Sequence, residues 1–247
     1  MSNNFELLTE LERTATIFRA PDTAPAESLL PKSRLMNDKL PSTYSEAVNL
    51  VHRVFLGKPE SAPHVVVFAG AQSGAGCSWV CAHAAEALAD RVPGAACILD
   101  ANIQSPAMHQ HFRLNNQRGL IDSLFETAPV SDYVQQVQDR QLSVLTAGTA
   151  NTHGAPWPAD RLTARIAELA KIFPFLLIDS RPVNLCAEIA VLGAIADGAI
   201  LVIDAESTRR EVALQAKEAL ITAKLRLLGA ALNKRTFPIP EFVYRRV

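Results

Sequence analysis

A doubly wound α/β fold, with a mostly parallel sheet covered on both faces, is the architecture this sequence predicts. Three observations lead there. Apolar runs of strand length alternate with helix-length amphipathic stretches from His64 onward. The runs carry apolar residues at successive positions, as strands buried on both faces do. Several of them end on a polar residue, at the side where open sheets of this kind bind ligands.

The strand-like runs are HVVVFAG (64–70), ACILD (96–100), LSVLTAG (142–148), FLLID (175–179), GAILVID (198–204) and LLGAALN (227–233). Helical patterns lie between them at 78–90, 158–172, 185–194 and 208–226. A further helix is expected from Ser45 to about Phe55, where Ala47, Val48, Val51 and Phe55 recur at helical spacing before Gly57 and Pro59. Ahead of it, residues 1–43 hold Pro21, Pro25, Pro31 and Pro41 among small and polar residues, which predicts a flexible arm apart from a short helix near Phe5–Arg13. The expected division is therefore an arm over 1–43, an α/β domain over 44–235 and a short tail over 236–247.

At 247 residues and 49% hydrophobic content the chain can bury a substantial core. Its 24 basic and 25 acidic side chains nearly cancel, which argues against attraction to nucleic acid or an anionic membrane as the dominant interaction. Cys77, Cys81, Cys97 and Cys186 show no CxxC pairing and suit a reducing cytoplasm. The run AEIAVLGAIADGAILVID (187–204) is broken by Glu188, Asp197 and the Asp197-Gly198 turn signal. It reads as helix, turn and strand, with no membrane span of its own.

The chemistry centres on GAQSGAGCSW (70–79), a glycine-rich turn between a strand and a helix. A phosphate-binding loop needs glycines so that amides can face the phosphates, a lysine for the outer phosphates and a hydroxyl for Mg²⁺. Gly74, Ala75, Gly76 and Ser78 answer this pattern, but Cys77 stands where the lysine belongs. A charge-assisted hydrogen bond is worth about 1.5–3 kcal/mol, so its loss weakens binding on the order of 10- to 100-fold. Phosphoryl transfer, whose charge is stabilised mainly by cations, suffers more. Cys77 alone also allows other readings: an ordinary tight turn, or a thiol made reactive at a helix N-terminus. Asp100, Asp179 and Asp204 end strands, where carboxylates either cap the strand or serve a metal.

The segment LDANIQSPAMHQHFRLNNQRGLIDSLF (99–125) resembles the one following the second strand in bacterial tyrosine kinases and their relatives. Asp100, Pro106, His109, Phe112, Asn115, Gly119, Leu120, Asp122 and Leu124 carry the likeness. FPFLLIDSRPV (173–183), ADGAILVIDAESTRREV (196–212) and LLGAALNKR (227–235) extend it over roughly residues 45–235. The resemblance implies a P-loop fold of the deviant Walker A superfamily, and a cytoplasmic protein recruited to the inner face of the membrane. The implied partner is a membrane polysaccharide co-polymerase of the chain-length-regulator type, in capsule or exopolysaccharide export. It implies ATP or ADP with Mg²⁺, weakened or lost here. Gly74, Ala75, Gly76, Cys77 and Ser78 would lie at the phosphates, Ser78, Asp100 and Asp179 at Mg²⁺, and Asn233 at the base, with Asp100 and Asp179 in the catalytic role.

The departures point one way. Beyond Cys77, the second acid of the family's Asp-x-Asp motif is Asn102 and the basic residue after it is Gln104. The Glu-x-x-Arg-x-x-Arg helix used in that family for self-association keeps Glu46 but has Asn49 and His52. The C-terminal tyrosine cluster is reduced to Tyr244. The implied function is a regulatory, catalytically impaired relative. The alternative is an active kinase or ATPase that draws charge from elsewhere, such as Arg181 or a neighbouring subunit. A DNA-partitioning ATPase shares the broader fold, but the charge balance and the segment after Asp100 speak against it. The His109–His111 pair is a poor zinc motif, since His109 follows the family pattern.

Overall fold

The computed structural model describes residues 16–19, 42–57, 62–92, 96–138, 140–149 and 157–234. In chain order, strand β1 (Thr16–Arg19) precedes helix α1 (Ser42–Val51), which runs on into a π-helical turn over His52–Leu56. Next come β2 (Val65–Gly70), α2 (Cys77–Ala89), β3 (Ala96–Asp100), the short α3 (Met108–His111) and α4 (Leu120–Phe125). They are followed by β4 (Val134–Gln136), β5 (Leu142–Leu145), α5 (Ala159–Ile172), β6 (Phe175–Asp179), α6 (Ile189–Ile195), β7 (Gly198–Asp204), α7 (Arg210–Thr222) and β8 (Leu227–Asn233).

The strands form one sheet in the order β1-β8-β7-β2-β6-β3-β5-β4. All neighbours run parallel except β4, which pairs antiparallel with β5. The doubly wound α/β class is thus the one observed. Every residue of β2, β3, β5 and β7 is buried, as expected of strands covered on both faces.

The alternation of β2 shows how one strand serves two layers. Val65, Val67 and Ala69 enter one core with Leu162, Ile166 and Leu169 of α5, Leu192 of α6, and Ala213, Ala216 and Leu220 of α7. Val66 and Phe68 enter the other, with Leu50 and Val51 of α1 and the small-residue face of α2. Alanines at 82, 84, 85 and 87 let α2 lie close on the sheet. Cys81 and Cys97 are small buried residues of the two cores.

One detail departs from the sequence reading. Within the arm expected over 1–43, Thr16–Arg19 instead forms an edge strand in register with Gly229–Leu232. Four residues carrying Thr, Ile and Phe suffice to extend an existing edge, a signal too short to stand out among prolines. The 187–204 run is, as expected, a helix, a turn and a strand. Asp197 ties this turn to the start of β2, its carboxylate accepting the amides of His64 at 2.7 Å and Val65 at 2.9 Å. Among the described residues no helix is long and apolar enough to cross a membrane.

Candidate nucleotide site

The loop between β2 and α2 sits at the carboxyl edge of the sheet's centre, flanked by the ends of β6 and β7. Gly74 and Gly76 hold φ of 77° and 83°, a left-handed conformation that glycine adopts without strain. The last residue of β8 and the one after it complete its support. Asn233 donates from Nδ2 to the Ala75 carbonyl at 2.9 Å, and Lys234 donates from Nζ to the Gly74 carbonyl at 2.6 Å. Asn233 lies so close to Gly76 that a Cβ there would collide with its Nδ2. With these carbonyls engaged from outside, the amides of Gly74, Gly76, Cys77 and Ser78 donate to no group among the described residues. They open, with the N-terminus of α2, onto a cleft of about 900 Å³.

Gly74, Ala75, Gly76, Cys77 and Ser78 all line that cleft, so the structure gathers the five loop residues singled out by sequence. Asn102, Gln104, Met108, His111 and Arg181 form the facing walls. Trp79 and Leu185 also border it, and sequence offered no signal for them. Asn233 is buried behind the loop. Its Nδ2 holds the loop in shape and its Oδ1 has no partner among the described residues. Lys234 was not singled out either. Its place directly after the strand-ending asparagine is the signal that could have found it.

The three strand-end aspartates divide by their partners. Asp204 accepts the amides of Glu206 at 3.0 Å and Ser207 at 3.1 Å and pairs with Lys234 at 3.2 Å. Burial opposes its charge, but these donors prevail and hold its pKa below the usual carboxylate value. It is a turn cap. Asp100 accepts the amides of Asn102 (3.2 Å), Ala107 (3.2 Å) and Met108 (3.1 Å), so it anchors the start of α3. Burial raises its pKa to about 6 against the pull of those amides.

Asp179 is different. It is fully buried, and neither carboxylate oxygen has a hydrogen-bond partner among the described residues. It stands beside Asp100 in the β3–β6 register. Burial first and the Asp100 charge second push its pKa up to about 8. The nearby Ser78 hydroxyl and Cys77 thiol offset this in part without closing a bond of ordinary geometry. The Cys77 thiol in turn is held well above its ordinary value by burial, then by Asp179 and Cys81. That direction runs against activation of the thiol by the helix N-terminus. Around neutral pH the loop places a thiol above a carboxyl that favours its protonated form.

An orphaned buried carboxyl beside a hydroxyl is what a hydrated Mg²⁺ needs, so Asp179 and Ser78 fit that ion. Asp100 fits it less directly, because its oxygens already serve three amides. Tyr244 lies outside the described residues.

Fold and loop together are those of a P-loop-type α/β domain. No protein-family model matches the chain. It is 36% identical over 141 residues to the tyrosine-protein kinase YwqD of Bacillus subtilis, covering 55% of this chain and 58% of that one. It is 33% identical over 138 residues to a putative tyrosine-protein kinase, CapB, of Staphylococcus aureus, covering 56% and 60%. The chain is similar in sequence to these bacterial tyrosine-protein kinases and spans about three-fifths of their length. Among solved structures, the kinase domain of the Escherichia coli tyrosine kinase ETK superposes with a TM-score of 0.77 at 18% identity, covering 95% of this chain and 96% of that one. A Borrelia burgdorferi plasmid partition protein bound to AMPPNP gives 0.58 at 15% identity, covering 75% and 80%. These two likenesses concern the fold.

Proposed function

We propose that the chain is a catalytically impaired relative of the bacterial tyrosine kinases, acting as a cytoplasmic accessory protein in surface-polysaccharide synthesis and export. In this reading it engages the cytoplasmic part of a membrane co-polymerase, and nucleotide occupancy or protein contact sets its state. The supporting observation is Cys77, which lines the cleft at the position of the loop lysine and offers a transferring phosphoryl group no cation. Gly74, Gly76, Cys77 and Ser78 would hold the phosphates through backbone amides, and Ser78 with Asp179 would hold Mg²⁺. An ion held there would supply positive charge against the phosphates. The chain's own part is to place donors, shield the cleft and keep Asp179 ready to lose its proton.

Incubation with γ-labelled ATP and Mg²⁺ tests this reading. The expected outcome is no label on protein tyrosine and no phosphate release above background. Turnover at the rate of an active tyrosine kinase refutes it.

Arg181 favours a second reading, an active ATP-dependent kinase or ATPase, because it lines the same cleft from the far wall. On that account Arg181→Ala abolishes a turnover that the first reading says is absent.

A further inference from the structure

Helices α2 and α3 bring together three metal-ligating side chains, of which only His111 also borders the cleft described above. His83 and Glu86 stand three residues apart on one face of α2, and His111 closes α3 against them. One ligand atom from each lies within 4.8 Å of the others. The geometry points to a binding site for a zinc-like divalent ion, held by His83, Glu86 and His111.

The tautomer of His83 supports this independently of proximity. Its Nδ1 is 2.9 Å from the Trp79 carbonyl. A carbonyl can only accept, so Nδ1 carries the proton and Nε2 keeps its lone pair for a metal. A ligating histidine held by a backbone carbonyl through its other nitrogen is the usual outer-shell arrangement. The ring is fixed further by stacking on Trp79, with centroids 4.0 Å apart. His111 meets His83 edge to face at 5.3 Å. His111 itself is exposed, so an ion can reach it from solvent.

Glu86 supplies the charge. Its side chain is only 18% exposed, and Arg140 approaches it no closer than 3.9 Å while also reaching Asp90 at 3.5 Å. Arg140 is thus a displaceable counter-ion that competes with a metal. Two imidazoles and a carboxylate suit zinc, with bonds of about 2.0–2.2 Å, so ligand atoms in a tetrahedron lie about 3.4 Å apart. The exposed His111 is the side chain free to turn and close that gap. Since Met108, Gln110 and His111 also line the cleft, a bound ion would brace its outer wall against α2.

Titration of the full chain with Zn²⁺ against a chromophoric chelator tests the site directly. One ion per chain is expected, with affinity lowered at least about 10-fold by His83→Ala, His111→Ala or Glu86→Gln. His109→Ala should bind as the parent does, and Arg140→Ala more tightly. Circular dichroism checks that each variant folds, and the parent's melting temperature should rise with Zn²⁺. Absence of stoichiometric binding to the folded parent overturns the proposal. So does binding that survives in the His83→Ala/His111→Ala double variant.

Discussion

Replacing Cys77 with lysine reverses the feature on which the loop's chemistry turns. The residue opens α2 and borders a cleft of about 900 Å³, so a longer side chain has room to extend toward phosphate. It also stands over Asp179, whose two oxygens lack partners among the described residues and whose pKa is raised to about 8. A cation within about 4–6 Å of a carboxylate lowers its pKa by about 1–3 units, which re-ionises Asp179 at neutral pH. A charge-assisted bond from the same ammonium to phosphate contributes about 1.5–3 kcal/mol, on the order of 10- to 100-fold in affinity. Calorimetric titration of Mg-ADP at pH 7 into parent and Cys77→Lys proteins reads this difference. A parallel measurement of phosphate release reads any gain of turnover. An affinity unchanged within twofold in a folded variant refutes the idea that the cradle lacks only its cation. A gain in binding that is equally large in the Cys77→Lys/Asp179→Asn double variant refutes the coupling to Asp179.

Other outcomes follow from the same geometry. Metal can engage Asp179 only after its proton leaves, so the Mg²⁺-dependent part of ADP affinity should rise on the order of 10- to 50-fold between pH 6 and pH 8. Asp179→Asn should flatten that profile in titrations with and without Mg²⁺. Asp179 also affects folding, because its pKa is about 4 in the unfolded chain and about 8 in the folded one. The folded state binds the proton more tightly, so this group's contribution to stability falls as pH rises from about 4 through 8. Melting curves should show Asp179→Asn gaining on the parent steadily from pH 5 to pH 8, whereas a constant difference would exclude a raised pKa. Gly76→Ala places a Cβ against Asn233 at a φ of 83° and should cost about 1–3 kcal/mol in denaturant unfolding. It should also weaken nucleotide binding, since the loop must shift.

Much of this was legible in the sequence because its signals are local. Buried parallel strands announce themselves as continuous apolar runs, so β2, β3, β6, β7 and β8 fall within a residue of their expected places. The expected run over 142–148 is shorter as a strand, ending at Leu145, because Gly148 turns the chain with a φ of 84°. β1 and β4 were missed, being three or four residues long at the sheet's edges. The loop residues were found because glycine spacing encodes backbone shape directly. What the sequence did not encode locally was partnership. Asp100 and Asp179 look alike as strand-ending aspartates, yet three amides engage one and none reaches the other. The approach of His111 to His83 and Glu86 is likewise set by how α3 docks on α2, across a separation no spacing motif spans.

One titration bears most directly on the central claim, that the cradle persists without its catalytic charge. Mg-ATP injected into the full chain at pH 8 should give a saturable heat of binding and then return to baseline. A sustained heat of hydrolysis after each injection would contradict the loss of catalysis, and no binding heat at all would contradict the cradle.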